Sequence, residues 1–505
     1  MSLASRRAAG RVRPTIVLAV VCLGVFIAGI DMTIVNVALP TLARDVKANN
    51  AQLQWTVDAY TLTAAGLLLF AGTVGDRYGR RGSLHLGLAI FATMSAVAAW
   101  VTSAEALIAA RAVMGLGAAF IVPTTLALIT NIFIDPIQRA KAIGLWSAMA
   151  AMGVAIGPIA GGWLLQNFWL GSIFLVNVPV AAVAMVGASL FVPTSRDPAP
   201  APLDVAGLVL SAMGVTALTY TIIEAPHAGW ISSRTAIGFT AAAIGLAAFA
   251  WHERRIPHPM LDLSIFANRR FGSGILAVSS AHLALFGFIF VMTQYLQFVA
   301  AYTPFETGER LLPVALAAVV ASVLAPRFVE RLGTTTVVVA GLGIFAVAIA
   351  WSGTFRADTS YVAIAVAMAL FGSGLGFTIA SATESIMGSL SLAHSGVGAA
   401  VASASRQLAG SLGVAIVGSI FASVYTRTLD RSASLGDMDP EARGAMRQSM
   451  AAAQRVIDQL PTAQTPGIGQ AVADAFLSGM WVSCLVCAGT AMAAATIIVV
   501  RVSRS

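Results

Sequence analysis

The chain has 505 residues, of which 58% are hydrophobic and only 10% are charged. A soluble domain usually has about 25% charged residues, so this composition excludes a soluble multi-domain protein. The net charge of +8 does not indicate nucleic-acid binding, because the basic residues form short clusters between apolar stretches.

Apolar stretches of about 20 residues, long enough to cross a bilayer, recur along nearly the whole chain. The basic residues before the first stretch resemble those of a signal peptide, but the stretch continues past Leu39 without a small-residue cleavage pattern, so we interpret it as a retained helix. We therefore predict an all-α integral membrane protein with about fourteen spans, at 15–39, 55–75, 84–102, 106–131, 141–166, 173–192, 204–224, 235–251, 274–300, 308–329, 335–353, 361–387, 399–425 and 475–500.

Basic residues are distributed unequally between the two ends of these spans. One end holds nearly all the clustered ones, which are Arg77, Arg80, Arg81, Arg139, Lys141, Arg254, Arg255, Arg269, Arg270, Arg327, Arg331, Arg501 and Arg504. The other end holds Arg44, Lys47, Arg234, Arg310 and Arg356. The positive-inside rule then predicts that both termini are cytoplasmic, with residues 1–14 as a cytoplasmic N-terminus in a multi-pass bacterial inner-membrane protein.

One long polar segment, 427–474, separates the last two predicted spans on the outer side. Its stretch DPEARGAMRQSMAAAQRVIDQL contains good helix formers and has a polar face. We expect a solvated hairpin over the outer mouth.

The most specific local pattern is GTVGDRYGRRG at 72–82, which follows the second predicted span. Its glycines, Gly72, Gly75 and Gly79, permit close backbone approach and a tight turn. Asp76 is placed either to accept hydrogen bonds at the start of the third helix or to pair with a neighbouring arginine. Arg77 and Arg80 fit a cytoplasmic loop on charge alone. The combined pattern resembles the signature loop of the major facilitator superfamily.

Further motifs narrow this resemblance. They are DMTIVNVALP at 31–40, QWTVDAY at 54–60, RAVMGLGAA at 111–119, GVAIGPIAGG at 153–162, LDVAG at 203–207, PMLDLSIFANRRF at 259–271 and RQLAGSLG at 406–413. Together they look like the motifs of the fourteen-span drug:proton antiporter family, and the resemblance covers about residue 16 to the last predicted span.

The resemblance implies a major facilitator fold of 6 + 2 + 6 helices, with two halves related as parallel repeats. The N-terminal half is 15–192, the two inserted helices are 204–251, and the C-terminal half is 274–500, including the outer loop 427–474. In the second half, APRFVERLGTTT at 325–336 stands where the signature loop should repeat, and it keeps only a trace of that loop.

Glycines recur every four residues on the fifth span, at Gly153, Gly157 and Gly161, with Gly162 beside them. Such a stripe lets another helix pack against the backbone, and Pro158 removes an intrahelical hydrogen bond. Ordinary tight packing is the alternative explanation of the stripe. In the family this stretch accompanies exporters, so the resemblance implies efflux.

An ionisable residue within a span is costly and is a functional candidate by default. Asp31, some four residues beyond the middle of the first span, is the strongest, with Thr33 and Asn36 as polar neighbours. The resemblance places the first and fourth helices on one cavity, which makes Arg111 the cation for Asp31. We hypothesise that a proton and a cationic substrate compete for the charge of Asp31. A fixed structural ion pair is the alternative.

Four other residues are weaker candidates, and Asp58 among them is a candidate both for proton coupling and for the substrate cavity. Asp58 begins the second predicted span, and its VDAY context resembles exporters of lipophilic cations, although a solvated position near the outer boundary is also possible. Glu384 and the mid-span His282 are candidates for lining a cavity or relaying protons, while a structural role is the alternative for each. Glu224 precedes a boundary-like stretch, which favours an interfacial role.

We therefore predict a proton-coupled exporter of small amphipathic or cationic lipophilic compounds, or alternatively an exporter dedicated to one endogenous metabolite, antibiotic, siderophore or lipid. The chain lacks the H-E-x-x-H, G-x-S-x-G and G-x-x-x-x-G-K-[ST] patterns, so we expect neither an enzyme nor an ATP-driven pump. We expect no metal and no cofactor, with the proton gradient as energy source. The expected partners are lipid, substrate and protons, and the expected functional unit is a monomer.

Overall fold

The computed structural model describes residues 14–196, 204–256, 259, 266–389, 395–432, 438–459 and 465–503, and they form helices and connections without strands. The long helices are α1 Pro14–Asp45, α2 Asn50–Tyr78, α3 Arg80–Ala99, α4 Ala104–Ile132, α5 Pro136–Asn167, α6 Ser172–Phe191, α7 Val205–Ala228, α8 Ser233–Glu253, α9 Arg269–Val299, α10 Pro304–Leu332, α11 Thr334–Gly353, α12 Tyr361–Gly388, α13 Ser395–Asp430 and α14 Thr465–Ser503. We call the end of the bundle where α1 begins and α14 ends the terminal face, and the other end the opposite face.

Thirteen of these helices contain an uninterrupted segment that is long and apolar enough to cross a membrane. The remaining helix, α2, bends by 52° between Leu68 and Phe70 and makes a fourteenth span when its two parts are taken together. The predicted all-helical membrane fold is thereby confirmed. α2 begins five residues before its predicted start, because Asn49 and Gln52 form a capping box that satisfies the first backbone N–H groups.

The helices pack as two repeated sets. In the first half α1 packs against α5 and α6, α2 against α4, and α3 against α4 and α6. The same pattern recurs eight helices later, where α9 packs against α13 and α14, α10 against α12, and α11 against α12 and α14. α7 and α8 form a separate hairpin whose α7 contacts α2 and α13. The fold is therefore two six-helix units in parallel repeat with an inserted pair.

Single glycines join α2 to α3 and α10 to α11. Gly79 has φ of 120° and Gly333 has φ of 81°, both in the region that disfavours side chains. The prediction of a loop around 76–83 was therefore wrong: helix continues to Tyr78 and resumes at Arg80, because a left-handed glycine reverses the chain within one residue. The second half has the same joint, although its sequence keeps little of the first half's charge pattern.

Contacts between the two halves lie toward the opposite face. Gln297, in a π-helical turn at Tyr295–Val299, donates from Nε2 to Val37 O at 2.9 Å. A Cβ added to Gly162 would lie 2.7 Å from Phe305 Cα, and one added to Gly308 would lie 2.5 Å from Pro158 O. α5 and α10 are thus in close backbone contact and α9 is hydrogen-bonded to α1 across the seam between the halves, so the bundle is closed at the opposite face.

The segment between α13 and α14 contains two short helices, Pro440–Gln448 and Met450–Asp458. The prediction of a solvated hairpin was wrong in one respect, because Met446, Met450 and Ile457 are buried. Arg455 Nη1 donates to Ala43 O at the end of α1 at 2.9 Å. This hydrogen bond connects the two short helices to the first half and satisfies a carbonyl group at the C-terminus of α1. α13 also continues to Asp430, beyond the predicted start of this segment at 427.

Candidate functional site

Asp31 and Arg111 form an ion pair at the centre of the first half. Arg111 Nη1 donates to Asp31 Oδ2, and the two side chains are 1% and 0% exposed. A buried charge without a partner would cost on the order of several kcal/mol, because it loses its hydration in a medium of low dielectric constant. The pairing removes that penalty and leaves a net-neutral site between α1 and α4.

Groups from α2 hold the guanidinium in place. Arg111 Nε donates to Thr56 O at 3.1 Å, and its Cζ lies 4.4 Å from the centroid of the Tyr60 ring. Gly115, one turn along α4, makes this approach possible, since a Cβ there would lie 3.1 Å from Tyr60 C. Arg111 is therefore fixed in both position and plane, and its planar, delocalised cation suits such stacking.

The other oxygen of Asp31 is bound from α6. Asn177 Nδ2 donates to Asp31 Oδ1 at 3.0 Å and to Ser95 Oγ of α3 at 3.0 Å. Ser95 Oγ in turn donates to Phe174 O at 3.0 Å. Side chains from four other helices, α2, α3, α4 and α6, thus surround this carboxylate of α1, either directly or through one neighbour.

Asp58 lies apart from this network, on the seam between α2 and α13. Its side chain is 0% exposed, so the alternative of a solvated position is wrong. The reason is that α2 begins earlier than predicted, which places Asp58 in the third turn of the helix. Ser411 of α13 faces it, yet no described group is within hydrogen-bonding geometry of either carboxylate oxygen. Asp58 is a buried carboxyl group whose hydrogen-bonding capacity is unfilled in the described part of the structure.

The remaining predicted residues do not converge on one site. His282 Nδ1 of α9 donates to Val278 O at 2.8 Å, and the ring stacks on Phe286, with the Arg406 guanidinium within electrostatic range. Glu384 is exposed near the terminal end of α12. Glu224, which was predicted to close its helix, lies one turn inside α7 and is half-buried.

The signature segment packs against α4 and the end of α6. Gly75 lies against Thr124 and Ser83, and Gly72 lies against Pro123. Asp76 Oδ1 pairs with Arg80 Nε at 2.8 Å, which decides between its two predicted roles, because no side chain caps α3.

Arginines of the same segment reach different surroundings. Arg80 N donates to Ser195 O at 2.9 Å, and Arg81 Nη1 donates to Val192 O at 3.4 Å. Arg77 is exposed. The segment therefore holds the residues that follow α6 in place through hydrogen bonds to Val192 and Ser195.

The glycine stripe of α5 packs against α1. A Cβ at Gly153 would lie 2.5 Å from Phe26 O, one at Gly157 2.9 Å from Ile30 O, and one at Gly161 3.1 Å from Ile34 O. Pro158 has no N–H to donate to the carbonyl four residues earlier, which belongs to Val154. Thr33 Oγ1 of α1 donates to that carbonyl instead, at 3.0 Å. α1 and α5 therefore share one hydrogen bond as well as a close-packed seam.

Sequence reasoning missed Asn177, Ser95, Thr56 and Tyr60. Asn177 carried the one usable signal, a single carboxamide in an otherwise apolar span. Ser95, a small hydroxyl residue, and Tyr60 are common in membrane helices and gave no such signal. Thr56 contributes only its backbone carbonyl, which no sequence pattern reveals.

A repeated six-helix bundle with an inserted hairpin and a buried charge pair defines a membrane transporter. The chain matches the Major Facilitator Superfamily over residues 21–414 and belongs to that family. Among solved structures, it is similar to a bacterial homologue of the human lysosomal transporter Spinster in an inward-facing, occupied conformation. That likeness has a TM-score of 0.66 and 17% identity, and covers 96% of each chain.

Sequence relatives extend over most of the chain. The multidrug efflux pump LfrA of Mycolicibacterium smegmatis is 35% identical over 97% of both chains. The methyl viologen resistance protein SmvA of Salmonella typhimurium is 32% identical over 88% of this chain and 89% of its own. The methylenomycin A resistance protein of Bacillus subtilis is 32% identical over 74% of this chain and 80% of its own.

Proposed function

We propose that this protein exports small amphipathic or cationic lipophilic compounds, driven by the inward movement of protons. Relatives matched over nearly the full length are named for multidrug efflux and methyl viologen resistance, which supports the direction and the substrate class. The observation that carries the coupling is the fully buried Asp31–Arg111 pair, whose net charge depends on one proton.

Both oxygens of Asp31 are already engaged, one by Arg111 and one by Asn177. A cationic substrate would therefore sense the charge of the pair rather than bind the carboxylate directly. When Asp31 is ionised the pair is neutral, and when Asp31 takes up a proton the guanidinium is left uncompensated. At about 10 Å and an effective dielectric of ~20, this repels a substrate cation by about 1.7 kcal/mol, which favours release.

We also propose the membrane in which the protein lies and its orientation there. The terminal face carries the clustered arginines and is assigned to the cytoplasm of a bacterial inner membrane. The closed opposite face would then be the outer face, and substrate would enter from the cytoplasmic side. The protein would work as a monomer in lipid, with protons and substrate as its only partners and no cofactor.

Purified protein in proteoliposomes tests the coupling. With wild type we expect methyl viologen or ethidium to drive proton movement measured with a trapped pH dye. Asp31→Asn should abolish the substrate-induced proton movement while the protein keeps its melting temperature. Unchanged coupling in this variant removes Asp31 from the role, and efflux that survives collapse of the proton gradient but stops on ATP depletion overturns the mechanism.

A dedicated exporter is the second candidate, because one relative is named for resistance to a single antibiotic, methylenomycin A. A susceptibility panel of chemically unrelated compounds in a pump-deficient host separates the two. Broad protection supports multidrug export, and protection against one compound alone supports the dedicated exporter.

A further inference from the structure

Asn177 is the only described residue besides Arg111 that donates a side-chain hydrogen bond to Asp31. It is 2% exposed and stands just after a break in α6 at Val176, which separates helical residues Ser172–Leu175 from Asn177–Phe191. The two N–H groups of its carboxamide are both used, one on Asp31 Oδ1 and one on Ser95 Oγ. Asn177 is therefore held against the carboxylate while Asp31 is ionised.

The two oxygens of Asp31 differ in their partners. Oδ2 receives a hydrogen bond from the charged guanidinium of Arg111, whereas Oδ1 receives one from the uncharged amide of Asn177. Only the first bond includes the attraction between two opposite charges, so a proton displaces the amide bond more readily than the guanidinium bond. The proton is thus expected on Oδ1, the side that faces Asn177.

A carboxamide has a donor end and an acceptor end, and rotation by half a turn exchanges them. With Asp31 ionised, Asn177 donates to it. With Asp31 protonated, the rotated amide presents its carbonyl oxygen to the new Asp31 O–H, and the Ser95 hydroxyl turns to donate to the same oxygen. One proton is added to Oδ1 and no electrons move. Three hydrogen bonds break, from Asn177 Nδ2 to Asp31 and to Ser95 and from Ser95 Oγ to Phe174 O, and two form, from the Asp31 and Ser95 hydroxyl groups to Asn177 Oδ1.

We propose that Asn177, held by Ser95, is a positioning residue that selects the oxygen of Asp31 that is protonated and stabilises both charge states of the carboxyl group. This inference rests on the proposed proton coupling. The charged or titratable groups that face Asp31 are Arg111 of α4 and Tyr60 of α2, while α6 has no charged residue and those of α5 lie at its far end. The pH response of Asp31 is therefore set by few groups, and Asn177 is the uncharged one in direct contact.

The test replaces Asn177 by leucine, which has similar size but no hydrogen-bonding group. Loss of the amide costs the ionised carboxylate more than the protonated acid, because a hydrogen bond to a charged group is about twice as strong as a neutral one. The pH midpoint of ethidium efflux in proteoliposomes should therefore move upward. We expect a shift of about one pH unit, which corresponds to about 1.4 kcal/mol. The infrared C=O band of protonated Asp31, identified by its absence in Asp31→Asn, should shift its midpoint equally. Asn177→Gln, which keeps the amide, should recover part of the shift.

Asn167→Leu is the matched control, because Asn167 is an exposed asparagine whose Nδ2 donates only to Trp163 O of its own helix. Its pH midpoint should equal that of wild type. If Asn177→Leu does not fold, Ser95→Ala loosens Asn177 without removing it and should give a smaller shift in the same direction. Midpoints that stay at the wild-type value in folded Asn177 and Ser95 variants overturn the proposal. If substrate still drives proton movement in Asp31→Asn, the proposed function is wrong. If Asp31→Asn loses this coupling but the pH midpoints of the Asn177 and Ser95 variants equal that of wild type, only the role of Asn177 is wrong.

Discussion

At the scale of single residues, the buried carboxyl groups of Asp31 and Asp58 differ in what surrounds them. Asp31 has a cation and an amide, so its ionised form is compensated. Asp58 has neither within hydrogen-bonding geometry and lies where the two halves touch. Ionisation of Asp58 therefore opposes the closed seam, while ionisation of Asp31 leaves its own site neutral.

Asp58→Asn should stabilise the protein increasingly as the pH rises. A protonated carboxyl group resembles a carboxamide, so the two proteins should have similar melting temperatures in acid. Above the pH at which the unfolded chain loses this proton, wild type alone must either keep the proton bound or bury an uncompensated charge. Melting curves between pH 5 and 9 in detergent measure the difference. A melting-temperature gap that is constant with pH would show that Asp58 holds its proton equally well in the folded and the unfolded protein, which contradicts an uncompensated buried carboxyl group.

Single residues also mark the limit of sequence reasoning. The proximity of Asp31 and Arg111 was predictable, because each is a costly charge in an apolar span and each needs the other. The partners Asn177, Tyr60 and Thr56 were not, because their roles depend on the rotation of α2 and α6 about their axes. Hydropathy fixes which segments cross the membrane but leaves that rotation to packing between helices.

At the scale of helices, the contact of α5 with α1 depends on the absence of side chains. Gly157→Ala should destabilise the protein and reduce transport, because its Cβ would lie 2.9 Å from Ile30 O and the two backbones would have to separate. Gly343→Ala in α11 is the control, since a Cβ there meets nothing within 4 Å. We expect it to keep or slightly raise the melting temperature, because alanine favours the helix over glycine by up to about 1 kcal/mol. Equal effects in the two variants would contradict the close-packed seam.

The start of α7 is capped by an ionised side chain. Burial acts to raise the pKa of Asp204, but hydrogen bonds from Gly207 N and His252 outweigh it and hold that pKa below its usual value. An acid with a lowered pKa contributes stability that is present above its unfolded value and is lost as the pH falls through the folded one.

Asp204→Ala should therefore lower the stability at pH 7 by about 1 kcal/mol, the usual contribution of an N-cap. The melting temperatures of variant and wild type should converge on acidification below the usual range of an aspartate. Asp439→Ala is a matched control, because Asp439 stands at the N-cap of a short helix but its side chain makes no cap hydrogen bond. A similar loss in both variants would argue against the capping interaction.

Helix ends were also where the predictions erred most. The capping box before α2, the glycine joint at Gly79 and the buried face of the 440–458 helices all depend on short-range chemistry that mean hydropathy does not register. The spans themselves were predicted well, because an apolar run of sufficient length has few alternatives in a bilayer.

At the scale of the whole molecule, the opposite face is closed by α5 against α10 and by α2 against α13. Gly162→Val should wedge the first of these contacts apart, since even a Cβ would lie 2.7 Å from Phe305 Cα. Spin labels at the exposed Thr102 and Ala357, one on each half, should report a longer distance in the variant. Gly66→Val, at a glycine with open space around it, should leave the wild-type distance distribution. Identical distributions in both variants would mean that this contact does not hold the face closed.

The contact between α5 and α10 brings together Gly162, Gly308, Pro158 and Pro304, none of which carries a charge or a polar side chain. Their backbone groups largely belong to helices and keep their hydrogen-bond partners when the two surfaces separate. Separation therefore loses mainly dispersion attraction and leaves few polar groups without a hydrogen bond. Two arrangements joined by such a surface can lie within a few kcal/mol of each other. A ligand can shift a two-state equilibrium only by its difference in affinity for the two states. A seam of this kind would let weakly bound and chemically varied cargo shift the equilibrium between the two arrangements, without requiring tight recognition of any one molecule.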